Sequence, residues 1–225
     1  MFDAQKILQQ VLGGQQNAGS LQKSRGMISS DHVTGAAVGG LAGLLLGSKS
    51  ARKFAGPVAQ LGGIAAVGTL AYQAWQAWQA SKNGQTPASS PALANDAEGT
   101  TFLPQNAAQR NDMSLMVLSA MIAASKADGH IDAAEQEKIF ARIGEDNLSS
   151  EEKAYLMDQF RKPLNIADLT AFATSPELAA EIYTASVVAI QPDTASEVTY
   201  LNNLASALQL DPGLRSNIDS VVKTA

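Results

Sequence analysis

The residues best equipped for chemistry lie in the run Lys126-Ala127-Asp128-Gly129-His130-Ile131-Asp132-Ala133-Ala134-Glu135. An Asp directly before a glycine, an aliphatic residue two places after it and a closing Glu make up the second half of a helix–loop–helix calcium site. Asp128, Gly129, Ile131 and Glu135 match that half in type and spacing. The first half is missing, because its opening ligand positions fall on Ala124 and Lys126. The run spells a tight turn between two helices, with Gly129 where a positive φ is needed, Ile131 as a plug into the core and carboxylates on the rim. Asp132 and Glu135 also have the spacing of a capping box, which needs no metal.

A second stretch, Val187 to Glu197, repeats the plan: an apolar helix end, Asp193 in a turn, then Glu197 on the next helix. Tyr200, Leu201 and Leu204 follow it as Ile139, Phe140 and Ile143 follow the first. The copy is imperfect, since Asp193 has neither the following glycine nor the aliphatic plug. If the two hairpins pack about a pseudo-twofold axis, Asp128, Asp132, Glu135, Asp193 and Glu197 converge. Such a cluster repels itself unless a cation neutralises it, and all-oxygen donors select Ca²⁺ or Mg²⁺ over zinc. These five are the candidate metal ligands.

The elements that must hold these turns are helices. Met113, Met116, Val117, Ala120, Met121 and Ala124 recur at spacings of three and four. Helix-start signals follow in series: Asp132 with Glu135, Ser149 with Glu152, Asn165 with Asp168, Ser175-Pro176-Glu177, Thr194 with Glu197, and Asp211-Pro212. This predicts about seven helices. No alternating run competes as a strand, so residues 110–225 read as an all-α domain.

Ahead of it, glycine recurs every fourth residue at Gly35, Gly39, Gly43 and Gly47. On a helix this makes a ridge along which a second helix packs closely. Interior glycines cost about 1 kcal/mol each in water, whereas lipid forces the backbone to bond to itself, so a membrane suits the segment better. Val33–Gly47 gives about 22 Å of helix, short of a ~30 Å hydrocarbon core. Phe54–Tyr72 is nineteen residues without a charge, and Trp75 and Trp78 follow it. That pattern predicts a single span ending in an interfacial aromatic belt; the alternative is a helix–helix contact in a bundle. A hairpin turning at Lys49, Arg52 and Lys53 is the other topology. A single span keeps these three with Lys6, Lys23 and Arg25 on the inner side and places the C-terminal domain outside.

Residues 1–32 read as a polar lead-in with a short amphipathic helix carrying Phe2, Ile7, Leu8, Val11 and Leu12 on one face. That helix either lies at an interface or docks on a protein surface. Residues 33–80 form the glycine-rich membrane-associated segment. Residues 81–109, rich in Pro, Ser, Ala, Thr and Asn, read as a flexible linker.

Charge follows the same division. Residues 1–82 hold seven Lys/Arg against two Asp, a net +5, and residues 108–225 hold nine against seventeen acids, a net −8. A basic, membrane-seeking front and an acidic back argue against nucleic acid as a partner. Cysteine is absent, which excludes thiolate chemistry. No glycine loop precedes a lysine in phosphate-binding fashion, and His32 and His130 lack metalloprotease spacing, so no enzyme is expected.

The stretch Ala127-Asp128-Gly129-His130-Ile131-Asp132 with Glu135, set in helical periodicity, resembles the tellurite-resistance TerB-like domain. The glycine-rich region with Gly47-Ser-Lys-Ser-Ala-Arg-Lys53 is similar to a bacterial family of inner-membrane proteins that carry that domain. The resemblance covers residues 33–80 and 110–225. It implies an all-helical bundle with an acidic, metal-associated cluster, membrane association, a part in envelope or metal stress, and no catalysis. Expected partners are the lipid bilayer and a protein, or a second copy through the glycine ridge.

Overall fold

The computed structural model describes residues 3–13, 63–85, 94–127, 149–190, 192 and 194–224. These contain nine helices: α1 (Ala4–Gly13), α2 (Ile64–Lys82), α3 (Ala94–Ala97), α4 (Ala107–Ala124), α5 (Ser150–Arg161), α6 (Ile166–Thr170), α7 (Pro176–Ile190), α8 (Ala195–Ala207) and α9 (Pro212–Thr224). Among the described residues the only bridge outside helices joins Glu98 and Leu103, so the fold is all-α.

The predicted start signals that fall on described residues act as caps. Ser149 and Thr194 each form a complete capping box, with Glu152 and Glu197 respectively. Asn165 accepts from Ala167 N–H, Ser175 from Leu178 N–H, and Asp211 from Gly213 and Leu214 N–H. Each satisfies amides that a helix start leaves without an internal partner. The Asp132–Glu135 signal lies outside the described residues.

Helix α7 is the centre of the bundle. Its run from Ala179 to Ile190 is buried throughout, and it packs on α4, α2, α9 and α8. A helix this apolar belongs in an interior, and each of its three embedded hydroxyl and phenol groups finds a partner. Thr184 and Ser186 donate to the carbonyls of Ala180 and Ile182 one turn back, and Tyr183 reaches Asp219 on α9. Helix α1 docks on α4, with Ala4, Ile7 and Leu8 fully buried and Ala4 N–H donating to Asn111 Oδ1 at 3.0 Å.

Two predicted segments sit differently. Of the expected span Phe54–Tyr72, residues 54–62 lie outside the described part; Ile64–Tyr72 is the first half of α2 and packs on α7 and α9. Ile64, Val67, Leu70 and Ala71 are buried there against protein. Trp75 packs against Phe102, with ring centroids 5.9 Å apart, and Trp78 donates to Asp211, the helix–helix contact that was the alternative to an aromatic belt. An uncharged run shows only that it avoids water, and a protein core meets that need as well as lipid does. No helix among the described residues is long and apolar enough to cross a membrane. The glycine repeat at Gly35–Gly47 lies outside the described residues.

The second segment is the expected linker 81–109. Residues 94–106 are fixed on the bundle: Ala97, Phe102 and Leu103 are buried in the same core, and Phe102 packs on Tyr72 and Trp75. Three buried apolar residues among polar ones hold this strap, and a glycine on α2 makes room for its backbone.

Candidate functional site

Of the five predicted ligands, Asp128, Asp132, Glu135 and Asp193 lie outside the described residues. Glu197 is described, and it is the third residue of α8. Its Oε2 accepts from Thr194 N–H and from Thr194 Oγ1–H, both at 3.0 Å, while its own N–H donates to Thr194 Oγ1 at 3.2 Å. One carboxylate oxygen is therefore committed to the cap. Among the described residues no group of three or more His, Cys, Asp or Glu side chains is close enough to share a metal ion.

The first residue of the acidic run has a role that spacing did not reveal. Lys126, just past the end of α4, is buried, and its Nζ donates to the carbonyls of Gln159 and, at 2.8 Å, Lys162. Those carbonyls end α5, where the helix dipole is negative and the last C=O groups lack partners. Burial, with the nearby Lys162 charge adding to it, pulls the Lys126 ammonium below its usual pKa. Where a calcium loop would place an anionic ligand, this chain places a cation that closes a neighbouring helix.

Among the described residues, a cleft of about 640 Å³ opens between the second half of α2, the α6–α7 turn and the α8–α9 turn. Trp75 and Trp78 supply its aromatic wall, and Thr174, Ser175, Gln209 and Asp211 its polar rim. Gln209 holds φ at 52°, in the left-handed region, which lets the chain leave α8 and start α9 within a few residues. Asp211 organises the rim. Its Oδ1 accepts from Trp78 Nε1 (3.0 Å), Gly213 N–H (2.8 Å) and Leu214 N–H (3.3 Å), and its Oδ2 lies 3.6 Å from Lys82 Nζ. Desolvation opposes the charge, but the three hydrogen bonds and Lys82 together outweigh it and hold the Asp211 carboxyl below its ordinary pKa. The Lys82 ammonium also stands 4.0 Å above the Trp78 ring.

Behind the cleft, Tyr183 on α7 links three helices. Its hydroxyl donates to Asp219 Oδ1 at 3.1 Å and accepts from Arg215 Nε at 2.9 Å, and Arg215 Nη2 donates to Asn202 Oδ1 on α8 at 2.6 Å. Burial, reinforced by the Asp219 charge and offset in part by Arg215, pushes the phenol up to about 12. It stays a neutral structural tie at physiological pH.

Sequence reading also missed Glu181. It is fully buried in the middle of α7, and neither carboxylate oxygen has a hydrogen-bond partner among the described residues. The available signal was one acid in the otherwise uncharged interior of Leu178–Ile190, where a surface helix would show several.

The cleft brings aromatic surface, an oriented carboxylate and a cation together on one rim. No curated protein and no solved structure matches the chain. A family model does match it, over residues 31–222, which takes in the glycine repeat, helices α2 to α8 and most of α9 but not α1. By that match the chain belongs to the family described as "Protein of unknown function (DUF533)".

Proposed function

We propose that this protein is a binding module rather than an enzyme, working at the bacterial inner membrane with the Trp75–Trp78 cleft facing a protein partner. The cleft carries this reading. Indole rings beside a rim of hydroxyl, amide and paired charges are the composition that concentrates binding energy at protein interfaces. The test is a photo-cross-linking amino acid placed at Gln209 of the full-length chain in cells. Thr224, ten residues beyond the cleft-lining Leu214 and about 15 Å further along α9, is the control position. A discrete protein adduct from position 209 and none from 224 is expected. Equal products from both, or none from either, would remove the cleft as the partner site.

The membrane seat rests on the glycine-rich stretch Val33–Gly47 and on Lys49, Arg52 and Lys53 after it, all within the family match. The same ridge supports a second reading, a scaffold that self-associates. Gly39→Leu with Gly43→Leu then weakens cross-linked oligomers in detergent, and unchanged oligomers exclude it.

The acidic turns add a divalent-cation input. Asp128, Asp132 and Glu135, with Asp193 and Glu197 from the second hairpin, offer hard oxygen donors suited to Ca²⁺ or Mg²⁺. Envelope or metal stress is the process that a TerB-like module of this kind would serve. Calorimetric titration of the full-length chain with CaCl₂ and with MgCl₂ tests the input. Heat that disappears in Asp128→Ala with Glu135→Ala is expected, and an absence of heat in the unmodified chain excludes it.

A further inference from the structure

Gly68, in the first half of α2, lies under the strap formed by residues 98–106. A Cβ placed there would collide with the carbonyl oxygen of Phe102 and stand 3.7 Å from Glu181 Oε1. Strap, glycine and buried carboxyl therefore meet at one point. Phe102 is 3 % exposed, and its ring lies against Tyr72 and Trp75 of α2. The strap is otherwise held by a small turn, with Gly99 N–H donating to Leu103 O at 2.8 Å, and by Arg110, which reaches Pro104 O and Glu98.

Among the described residues no charged partner stands by Glu181. On α2, Tyr72 is bonded by Gln76, and Lys82 lies at the far end with Asp211. On α4, Arg110 is turned to the strap and Asp112 shares its first turns. On α9, Arg215 and Asp219 are held by Tyr183, about 200° round α7 from Glu181, and Lys223 is in the last turn. On α8, Glu197 serves its cap and Tyr200 is buried near Ser186. Glu98 is the strap's own acid, and Asp96 lies just ahead of it on α3. None of these bears on Glu181, and burial alone pushes its carboxyl well above the usual range.

We propose that Glu181 is a proton-operated latch for the 98–106 strap: protonated, it lets Phe102 seat on Gly68; ionised, it draws water to the crossing and releases the strap from α2. An isolated carboxylate is not sustained in an apolar interior, so losing the proton must open a path to water. The parts that could yield are the packed helices α4, α7 and α9 or the short strap, and the strap has the fewest bonds to break. Its release uncovers Trp75, which lines the cleft on its other side. Proton loss at the latch thus changes the wall of the binding site.

Trp75 reports the event. In a full-length Trp78→Phe chain it is the sole tryptophan, and its emission and acrylamide quenching are read from about pH 5 to about pH 9. The folded chain holds the Glu181 proton to higher pH than an exposed glutamate does, and opening releases that proton. The open-to-closed ratio then rises by up to about tenfold per pH unit between the ordinary carboxyl range and the raised value. Adding Glu181→Gln abolishes the rise and leaves Trp75 shielded throughout. Gly68→Ala, which displaces the Phe102 carbonyl, leaves Trp75 exposed at every pH with no step; far-UV circular dichroism checks that both variants keep their helices. A flat profile in the Trp78→Phe chain, or the same rise with Glu181→Gln, overturns the latch.

Discussion

Helix α2 meets a carboxylate at each of its two halves, and the two are treated in opposite ways. At Gly68 it faces Glu181, fully buried and, among the described residues, with no donor on either oxygen. At Trp78 it faces Asp211, which accepts three hydrogen bonds and has a lysine beside it. The same chemical group is driven toward its neutral form at the first place and toward its charged form at the second. Burial with nothing to offset it raises the first, whereas three hydrogen bonds and a lysine outweigh the desolvation of the second. One half of α2 is a dry packing surface, and the other is a polar, aromatic rim suited to contact with another molecule.

The packing half should carry most of the stability. Phe102→Ala removes the ring that seals the Gly68 crossing and is expected to cost about 3–5 kcal/mol, the usual range for a buried phenylalanine. Urea unfolding checks it. A loss below about 1 kcal/mol would mean that the strap is peripheral and the contrast between the two halves overstated.

Acid and base should then separate the two carboxylates. Glu181 has a raised folded pKa, so its contribution is fully present below the unfolded glutamate pKa and is lost as pH rises toward the folded value. The slope is at most about 1.4 kcal/mol per pH unit. Glu181→Gln should flatten stability on that side and make the protein more stable than its parent at alkaline pH. Asp211 has a depressed folded pKa, so its contribution is present above the unfolded aspartate pKa and is lost as pH falls through the folded value. Asp211→Asn keeps an oxygen for the α9 cap and for Trp78 but flattens the acid limb. Melting temperatures across pH measure both slopes. Slopes of the same sign, or an alkaline slope that survives Glu181→Gln, would break the comparison.

How much of this could be read from residues alone follows from the range of each interaction. Caps are local, so Ser149 with Glu152, Thr194 with Glu197, and Asp211 ahead of Pro212 announced their helices correctly. The burial of Ile64–Tyr72 was equally plain, but hydropathy cannot say whether lipid or α7 and α9 provide the cover. Phe102 looked like an isolated apolar residue in a linker because the notch that receives it is at Gly68, thirty-four positions earlier. The carbonyls that hold Lys126 lie thirty-three and thirty-six residues further on. In the cleft, the two tryptophans drew attention at once, whereas their pairing with Asp211 needed the α8–α9 turn to bring a residue 133 positions away within 3.0 Å.

The smallest expected effect tests what the rim is for. Lys82 sits 57 % exposed, near Asp211 Oδ2 and over the Trp78 ring. An exposed ion pair contributes about 0–1 kcal/mol, and an exposed cation–π contact adds a similar amount. Lys82→Met should therefore lower the urea midpoint only slightly, and salt should shrink the difference, since screening already weakens the ion pair in the parent. If the rim serves recognition, the same substitution should reduce the adduct formed from position 209 far more than it reduces stability. A stability loss with an unchanged adduct would make Lys82 a clasp for the α2–α9 junction, and the aromatic wall alone would then have to recognise the partner.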